Sequence, residues 1–148
     1  MGDVDALKDH AAMKSVKAKV QDVASALFSD TPVQFAYLYG SFAKETNHPF
    51  SDLDVAIYID CLNRKSSLDL ELSLSLSMDQ SLEHIVPSEV RIINYLPLTL
   101  QGDIITSGIL IFSQNEQKRI EFETRVRMTY FDFLPVIRNY ELVYFGNK

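Results

Sequence analysis

The segment that most constrains the fold is DLDVAIYI, residues 52–59. In a β-strand, successive side chains point to opposite faces of the sheet. One face of this segment is then wholly apolar and consists of Leu53, Val55, Ile57 and Ile59. The other face carries Asp52 and Asp54. We therefore expect a strand whose apolar face lies under helices and whose two carboxylates face a cleft.

The rest of the chain alternates between helix and strand patterns, which predicts one mixed α/β domain over residues 1–148. The predicted helices are 4–28, 66–82, 98–107 and 115–140, and the other predicted strands are 33–39, 89–94 and 109–112. In 66–82, leucines alternate with polar residues as in a strand. The run is long for a strand, leucine favours helices, and Ser66 with Asp69 resembles an N-terminal cap, so we predict a helix. Pro135 predicts a kink or break in the last helix.

Composition limits the classes of function. The formal net charge of -6 argues against extended binding to nucleic acid, because phosphate contacts need a concentrated basic surface. The single cysteine, Cys61, excludes an internal disulfide and fits a reducing compartment. The N-terminal sequence lacks the pattern of a signal peptide, and no apolar run is long enough to span a bilayer. We expect a cytoplasmic protein with no membrane partner.

The chemistry is concentrated in the two aspartates and in the Gly40-Ser41 pair that precedes them. Carboxylates two residues apart on a strand have α-carbons about 7 Å apart on one face, where they repel unless a cation lies between them. Magnesium takes carboxylates together with water and phosphate oxygens. Glycine lets the backbone approach a phosphate, to which Ser41 and the following amides can donate hydrogen bonds. This pattern indicates a metal-dependent nucleotide site.

Several alternatives stay open at this point. The pattern also fits a surface loop followed by an edge strand with two solvated aspartates. Residues 41–44 could begin a short helix, and Lys44 could either neutralise a triphosphate or be a solvated loop lysine. Tyr37, Tyr39 and Tyr58 flank the predicted site and could stack on adenine, although packing in the core or at its rim is the safer interpretation.

The Gly40-Ser41 pair is followed, after ten intervening residues, by an Asp-x-Asp motif. This combination resembles the signature of the DNA polymerase β-type nucleotidyltransferase superfamily. The form GSFAKETNHPFSDLDVAIYI resembles its minimal branch, the MNT domain proteins, and the similarity extends from about Val33 to Tyr140. The resemblance implies a single nucleotidyltransferase domain of α/β (α+β) class with a short mixed sheet. Its helices are expected to pack on one face of that sheet, with 33–140 as the core and 4–28 as an N-terminal helix.

The resemblance also implies roles for individual residues. Gly40 and Ser41 would bind the triphosphate of ATP, and Asp52 and Asp54 would bind two magnesium ions. Lys44 is a further candidate for binding the nucleotide. The superfamily adds a third carboxylate on the next strand, as a general base and metal ligand, and Glu89 occupies the matching place. Arg91 on the same face departs from the pattern, and we expect it to pair with Glu89.

The minimal branch resembles the antitoxins of HEPN/MNT toxin–antitoxin pairs. This implies an enzyme that transfers AMP from ATP to a tyrosine of a cognate HEPN ribonuclease toxin and so neutralises it. One alternative is a binding module that neutralises the toxin by occlusion alone. Another is a nucleotidyltransferase that acts on a small molecule of the aminoglycoside type, although such enzymes usually carry an extra helical domain.

Overall fold

The structure is a computed structural model that describes residues 16–44, 51–60 and 63–144. Predictions for residues 4–15, the loop at 45–50 and Cys61 lie outside these ranges. The strands are β1 (Val33–Tyr39), β2 (Leu53–Ile59), β3 (Ser88–Ile92) and β4 (Ile109–Ser113). The helices are α1 (16–28), α2 (Arg64–Ser81), α3 (Leu98–Ser107) and α4 (Glu116–Tyr144). The third strand is shorter than predicted, because a 3-10 turn at Ile93–Tyr95 follows it.

The four strands form one mixed sheet in the order β3-β2-β1-β4. Strand β1 lies antiparallel to both β2 and β4, whereas β2 and β3 are parallel. Parallel neighbours need a crossover connection, and α2 supplies it here. The predicted fold class, a short mixed sheet with helices, is confirmed.

Helices cover both faces of the sheet, which corrects the expectation of one covered face. The apolar face of β2 packs with Phe28 of α1 and Met78 of α2 in one buried cluster. The opposite face contributes Ala56 to a second cluster, with Ile104 of α3 and Phe122 of α4. Beyond Ala56 towards the start of β2, the second face carries the aspartates instead of apolar side chains. The two clusters together fix the strand that carries the predicted site.

Helix α2 confirms the choice of helix over strand for this segment, although its cap differs from the predicted one. The Asn63 side chain caps the helix by accepting a hydrogen bond from the Ser66 backbone N–H at 2.8 Å. Leu74 and Met78 are buried against the sheet. Ser66 and Asp69 therefore lie inside the helix and do not form its cap.

The last two helices follow their predicted bounds closely. Helix α3 ends at Gly108, where a Cβ would lie 2.3 Å from the backbone oxygen of Ile104, so close backbone packing requires glycine there. Helix α4 is assigned continuously through Pro135 and is not broken by it. Among the described residues, no helix has the length and apolar composition required to cross a membrane.

Candidate active site

Gly40 and Asp54 meet at the end of the central strand pair. Tyr39, the last residue of β1, is the register partner of Asp54 in β2. Gly40 follows with φ = 72°, in the left-handed region that glycine adopts without strain. A Cβ at Gly40 would lie 2.6 Å from Oδ2 of Asp54. The glycine is thus required both by its backbone angle and by the carboxylate that lies against it.

The parallel pairing of β2 with β3 places a third carboxylate next to this pair. Asp54 is in register with Glu89, and the next pair, Val55 with Val90, lies in the apolar cluster on the other face. Asp54 and Glu89 therefore belong to the same face of the sheet. Partial burial, then the negative charges of Glu89 and Asp52, raise the pKa of Asp54 from 3.8 to about 6. Asp54 is thus close enough to Glu89 and to Asp52 to be repelled by both.

Arg91 is the cation of this cluster. Its Nε lies 3.8 Å from Oε1 of Glu89, which confirms the predicted pairing. The charge of the guanidinium opposes the rise in the pKa of both Tyr39 and Asp54. Glu89 therefore contacts the arginine beside it as well as facing the aspartates.

The carboxylates fit a magnesium site by their chemistry. Within residues 16–44, 51–60 and 63–144, no three acidic, imidazole or thiol side chains converge closely enough to bind a metal as they stand. Asp52 and Asp54 nevertheless supply hard oxygen donors on one face, and their mutual repulsion would be relieved by a divalent cation. Glu89, held by Arg91, stays a predicted third ligand.

The residues after Gly40 form a turn and not the short helix considered above. The backbone N–H of Lys44 donates to the carbonyl of Gly40 at 3.2 Å, which closes a single turn. Phe42 is buried and anchors this turn in the core. The Lys44 ammonium lies 3.3 Å from the carboxylate oxygens of Asp103 on α3. Lys44 is thus an ion-paired residue at the edge of the site, and its role towards a triphosphate stays a prediction.

The three tyrosines near the site pack in or against the core, as the safer interpretation predicted. Tyr37 and Tyr39 are buried, and the Tyr37 hydroxyl donates to Glu123 of α4. Burial, followed by the charge of Asp54, raises the pKa of Tyr39. Tyr58 stacks on Phe35 with ring centroids 4.7 Å apart.

The sequence did not reveal a half-open cavity of about 340 Å³ on the aspartate face, farther along β2. Its lining includes Tyr58, Asn94, Gln101, Phe122 and Arg125. These residues come from separate elements and carry no shared spacing in the chain. Only the register of the sheet and the packing of α3 and α4 against it bring them together.

Removing the charge of Asp54 is expected to stabilise the metal-free protein. Its pKa is higher in the folded state than its ordinary value, so the folded chain binds the proton more tightly and loses stability as pH rises from about 4 to about 6. In chelator, Asp54→Asn should raise the Tm by a few degrees at about pH 8, with little gain at about pH 4.

Asp60→Asn is the matched control for these thermal melts, because Asp60 follows the same strand and pairs with Lys118 at the opposite end. Loss of that partly exposed ion pair should change stability little at either pH. An Asp54 variant that is less stable than wild type at about pH 8 would contradict the inferred repulsion.

Comparisons with known proteins agree with this geometry. The family model described as polymerase beta, nucleotidyltransferase, matches residues 21–117, more than half of the 148-residue chain. No curated protein matches the sequence.

Similar solved structures share the fold at low sequence identity. A chain from a toxin–antitoxin crystal structure with AMP-PNP has a TM-score of 0.60 and 17% identity, covering 80% of this chain and 96% of its own. A chain from the MntA–HepT toxin–antitoxin structure has a TM-score of 0.56 and 14% identity, covering 81% and 95%. A chain from a Shewanella oneidensis complex of a tri-AMPylated HEPN toxin with its MNT antitoxin has a TM-score of 0.56 and 15% identity, covering 81% and 94%.

Proposed function

We propose, from the premise that this chain belongs to the polymerase β nucleotidyltransferase family, that it is a cytoplasmic antitoxin. It transfers AMP from ATP to a tyrosine of a cognate HEPN ribonuclease toxin, with two magnesium ions. The observation that carries the proposal is the contact between the Gly40 turn and Asp54, beside Glu89. A phosphate-binding turn and a cluster of carboxylates meet there at one end of the sheet.

Each part of this arrangement has a role in nucleotidyl transfer. The backbone at Gly40 and the hydroxyl of Ser41 hold the triphosphate, and the absence of a Cβ at Gly40 lets the Asp54 carboxylate lie directly against this turn. Asp52 and Asp54 hold magnesium through carboxylate oxygens. Bound magnesium would activate the attacking oxygen and stabilise the leaving pyrophosphate.

The transfer balances with the groups on this face. The phenolic oxygen of the toxin tyrosine forms a bond to the α-phosphorus of ATP, and the bond from that phosphorus to the bridging oxygen breaks. Pyrophosphate leaves with the electron pair. Glu89 accepts the phenolic proton, which requires its carboxylate to exchange the contact with Arg91 for one with the acceptor. Arg91 then remains beside the developing negative charge.

The structural relatives support the choice of partner and nucleotide. One of them was solved with AMP-PNP, an ATP analogue, and another holds a HEPN toxin that carries three AMP groups. Those two comparisons cover 80% and 81% of this chain, so the likeness extends well beyond the motif.

Incubation with ATP labelled in the α-phosphate should transfer the label to the helical toxin encoded by the adjacent reading frame. We expect transfer to require magnesium and a tyrosine of the toxin, because the phosphate turn and the aspartates lie in one site. Mass spectrometry locates the modified residue. ATP labelled in the γ-phosphate is the control and should leave the toxin unlabelled. Absence of label on the toxin at every magnesium concentration would contradict the proposal.

A second candidate function is neutralisation by occlusion alone. The ion pair between Arg91 and Glu89 favours it, since it holds the third carboxylate in a contact that competes with catalysis. The two candidates differ in the behaviour of a variant with both Asp52→Asn and Asp54→Asn. An occluding antitoxin would still neutralise its toxin with these changes, whereas a modifying one would bind the toxin without neutralising it.

A further inference from the structure

Helix α2 carries apolar side chains on two opposite faces. Its leucines recur at every second position from Leu68, and two residues advance a helix by about 200°. Alternate members of the series therefore point to opposite sides of the helix. Leu70, Leu74 and Met78 pack on the sheet cluster, while the remaining members lie on the far side. The pattern that resembled a strand thus specifies a helix with an inner and an outer apolar face.

The outer stripe, defined as Leu68, Leu72 and Leu76, is exposed to solvent. These side chains are 60%, 63% and 55% exposed, respectively. They are spaced by four residues, so they form one continuous row along about 12 Å of the helix. Three aligned leucines on an outward face are typical of a surface that binds another helix.

The charges at the two ends of the outer stripe are arranged symmetrically about Leu72. Lys65 precedes it by seven residues and Asp79 follows it by seven. Residues seven apart lie within about 20° of each other around a helix, so both charges lie in line with the stripe. The Asp79 carboxylate is held in place, since its Oδ1 accepts a hydrogen bond from the Ser88 backbone N–H at 2.7 Å.

We propose that the outer stripe of α2 pairs with the same stripe of a second copy of this chain, in antiparallel orientation. A two-fold axis at Leu72 places Leu72 on its counterpart and Leu68 on Leu76 of the other copy. The same axis places Lys65 opposite Asp79 at both ends. A surface that is complementary to itself in both apolar side chains and charge matches the requirement of a two-fold interface.

The inner and outer faces also keep this interface apart from the candidate active site. Met78 and the inner leucines separate the outer stripe from the sheet, on the face opposite to the aspartates. Pairing through α2 therefore leaves Gly40 and Asp54 open in both copies. A single helix pair of this size lies at the small end of specific interfaces, so we expect a dimer that dissociates in the micromolar range.

Cysteine cross-linking in a Cys61→Ser background tests the pairing and its direction. Leu72→Cys should form a disulfide-linked dimer on mild oxidation, because residue 72 faces itself across the axis. Leu68→Cys alone should not, since its two copies would lie about 12 Å apart along the helices, beyond disulfide reach. A mixture of Leu68→Cys with Leu76→Cys should cross-link again. Failure of Leu72→Cys, or equal cross-linking by Leu68→Cys alone, would overturn the proposal.

Sedimentation across a range of concentrations tests the same interface without cysteine. The wild-type chain should shift from monomer to dimer, and Leu72→Glu should weaken that association by at least tenfold while keeping the Tm. Leu142→Glu is the matched control, because Leu142 is a leucine on α4 with similar exposure, 67%. The proposal is overturned if the wild-type chain stays monomeric or dimerises only after removal of residues 1–15. It is also overturned if the outer stripe binds only the toxin.

Discussion

Asp54→Asn is expected to lower the rate of AMP transfer by about 1,000-fold, because several kcal/mol of transition-state stabilisation depend on the metal that this carboxylate would hold. Asp54 is the carboxylate that lies between Gly40 and Glu89. It lies against the Gly40 backbone and is in register with both Tyr39 and Glu89. Single-turnover transfer of label from ATP to the toxin measures the effect on chemistry.

The thermal behaviour of this variant distinguishes lost chemistry from lost structure. The same substitution should leave the metal-free protein at least as stable as wild type at about pH 8, since it removes a repelled charge. Asp60→Asn, just past the end of the same strand, should retain nearly full activity because its partner Lys118 lies away from the site. A folded Asp54→Asn protein with a wild-type rate would show that the catalytic group lies elsewhere.

Gly40→Ala should lower the transfer rate by about 100-fold and also destabilise the protein. The new Cβ would lie 2.6 Å from Oδ2 of Asp54, and the left-handed backbone at φ = 72° would cost about 1 kcal/mol for alanine. The carboxylate must move to make room, and displacement of a catalytic group by about 1 Å is enough for a loss of this size. Transfer assays and thermal melts measure the two effects separately.

A double-mutant cycle separates the clash from the backbone strain. In an Asp54→Ala background the clashing oxygen is gone, so adding Gly40→Ala should cost only the strain of the left-handed backbone. Ser41→Ala, which removes a hydroxyl and leaves the glycine intact, should lower activity without a comparable loss of Tm. An equal stability cost of Gly40→Ala in both backgrounds would argue against the close approach to Asp54.

Much of the fold and part of the candidate site follow from local patterns. The alternation in β2 predicted which side chains would be buried, and Leu53, Val55, Ile57 and Ile59 all lie in the core. Periodicity is a reliable guide there because one face of the strand is entirely apolar. Glu89, which the family resemblance predicted as the third carboxylate, is in register with Asp54 and lies next to it.

Other features depend on contacts that no local pattern encodes. The ion pair of Lys44 with Asp103 joins residues from distant parts of the chain. Asn63 caps α2 from outside the predicted element. The second layer of helices packs against apolar side chains that β1 and β2 also present on the aspartate face. The prediction of one covered face rested on the other, wholly apolar face of β2.

Arg91 gives the acidic cluster a counter-ion that belongs to the protein itself. Its guanidinium lies 3.8 Å from Glu89 and opposes the rise in the pKa of Asp54, so it offsets part of the repulsion among the carboxylates. The negative charge of these carboxylates is therefore partly neutralised without magnesium. In the proposed reaction, magnesium would add its charge to a positive charge that the fold already holds beside these carboxylates.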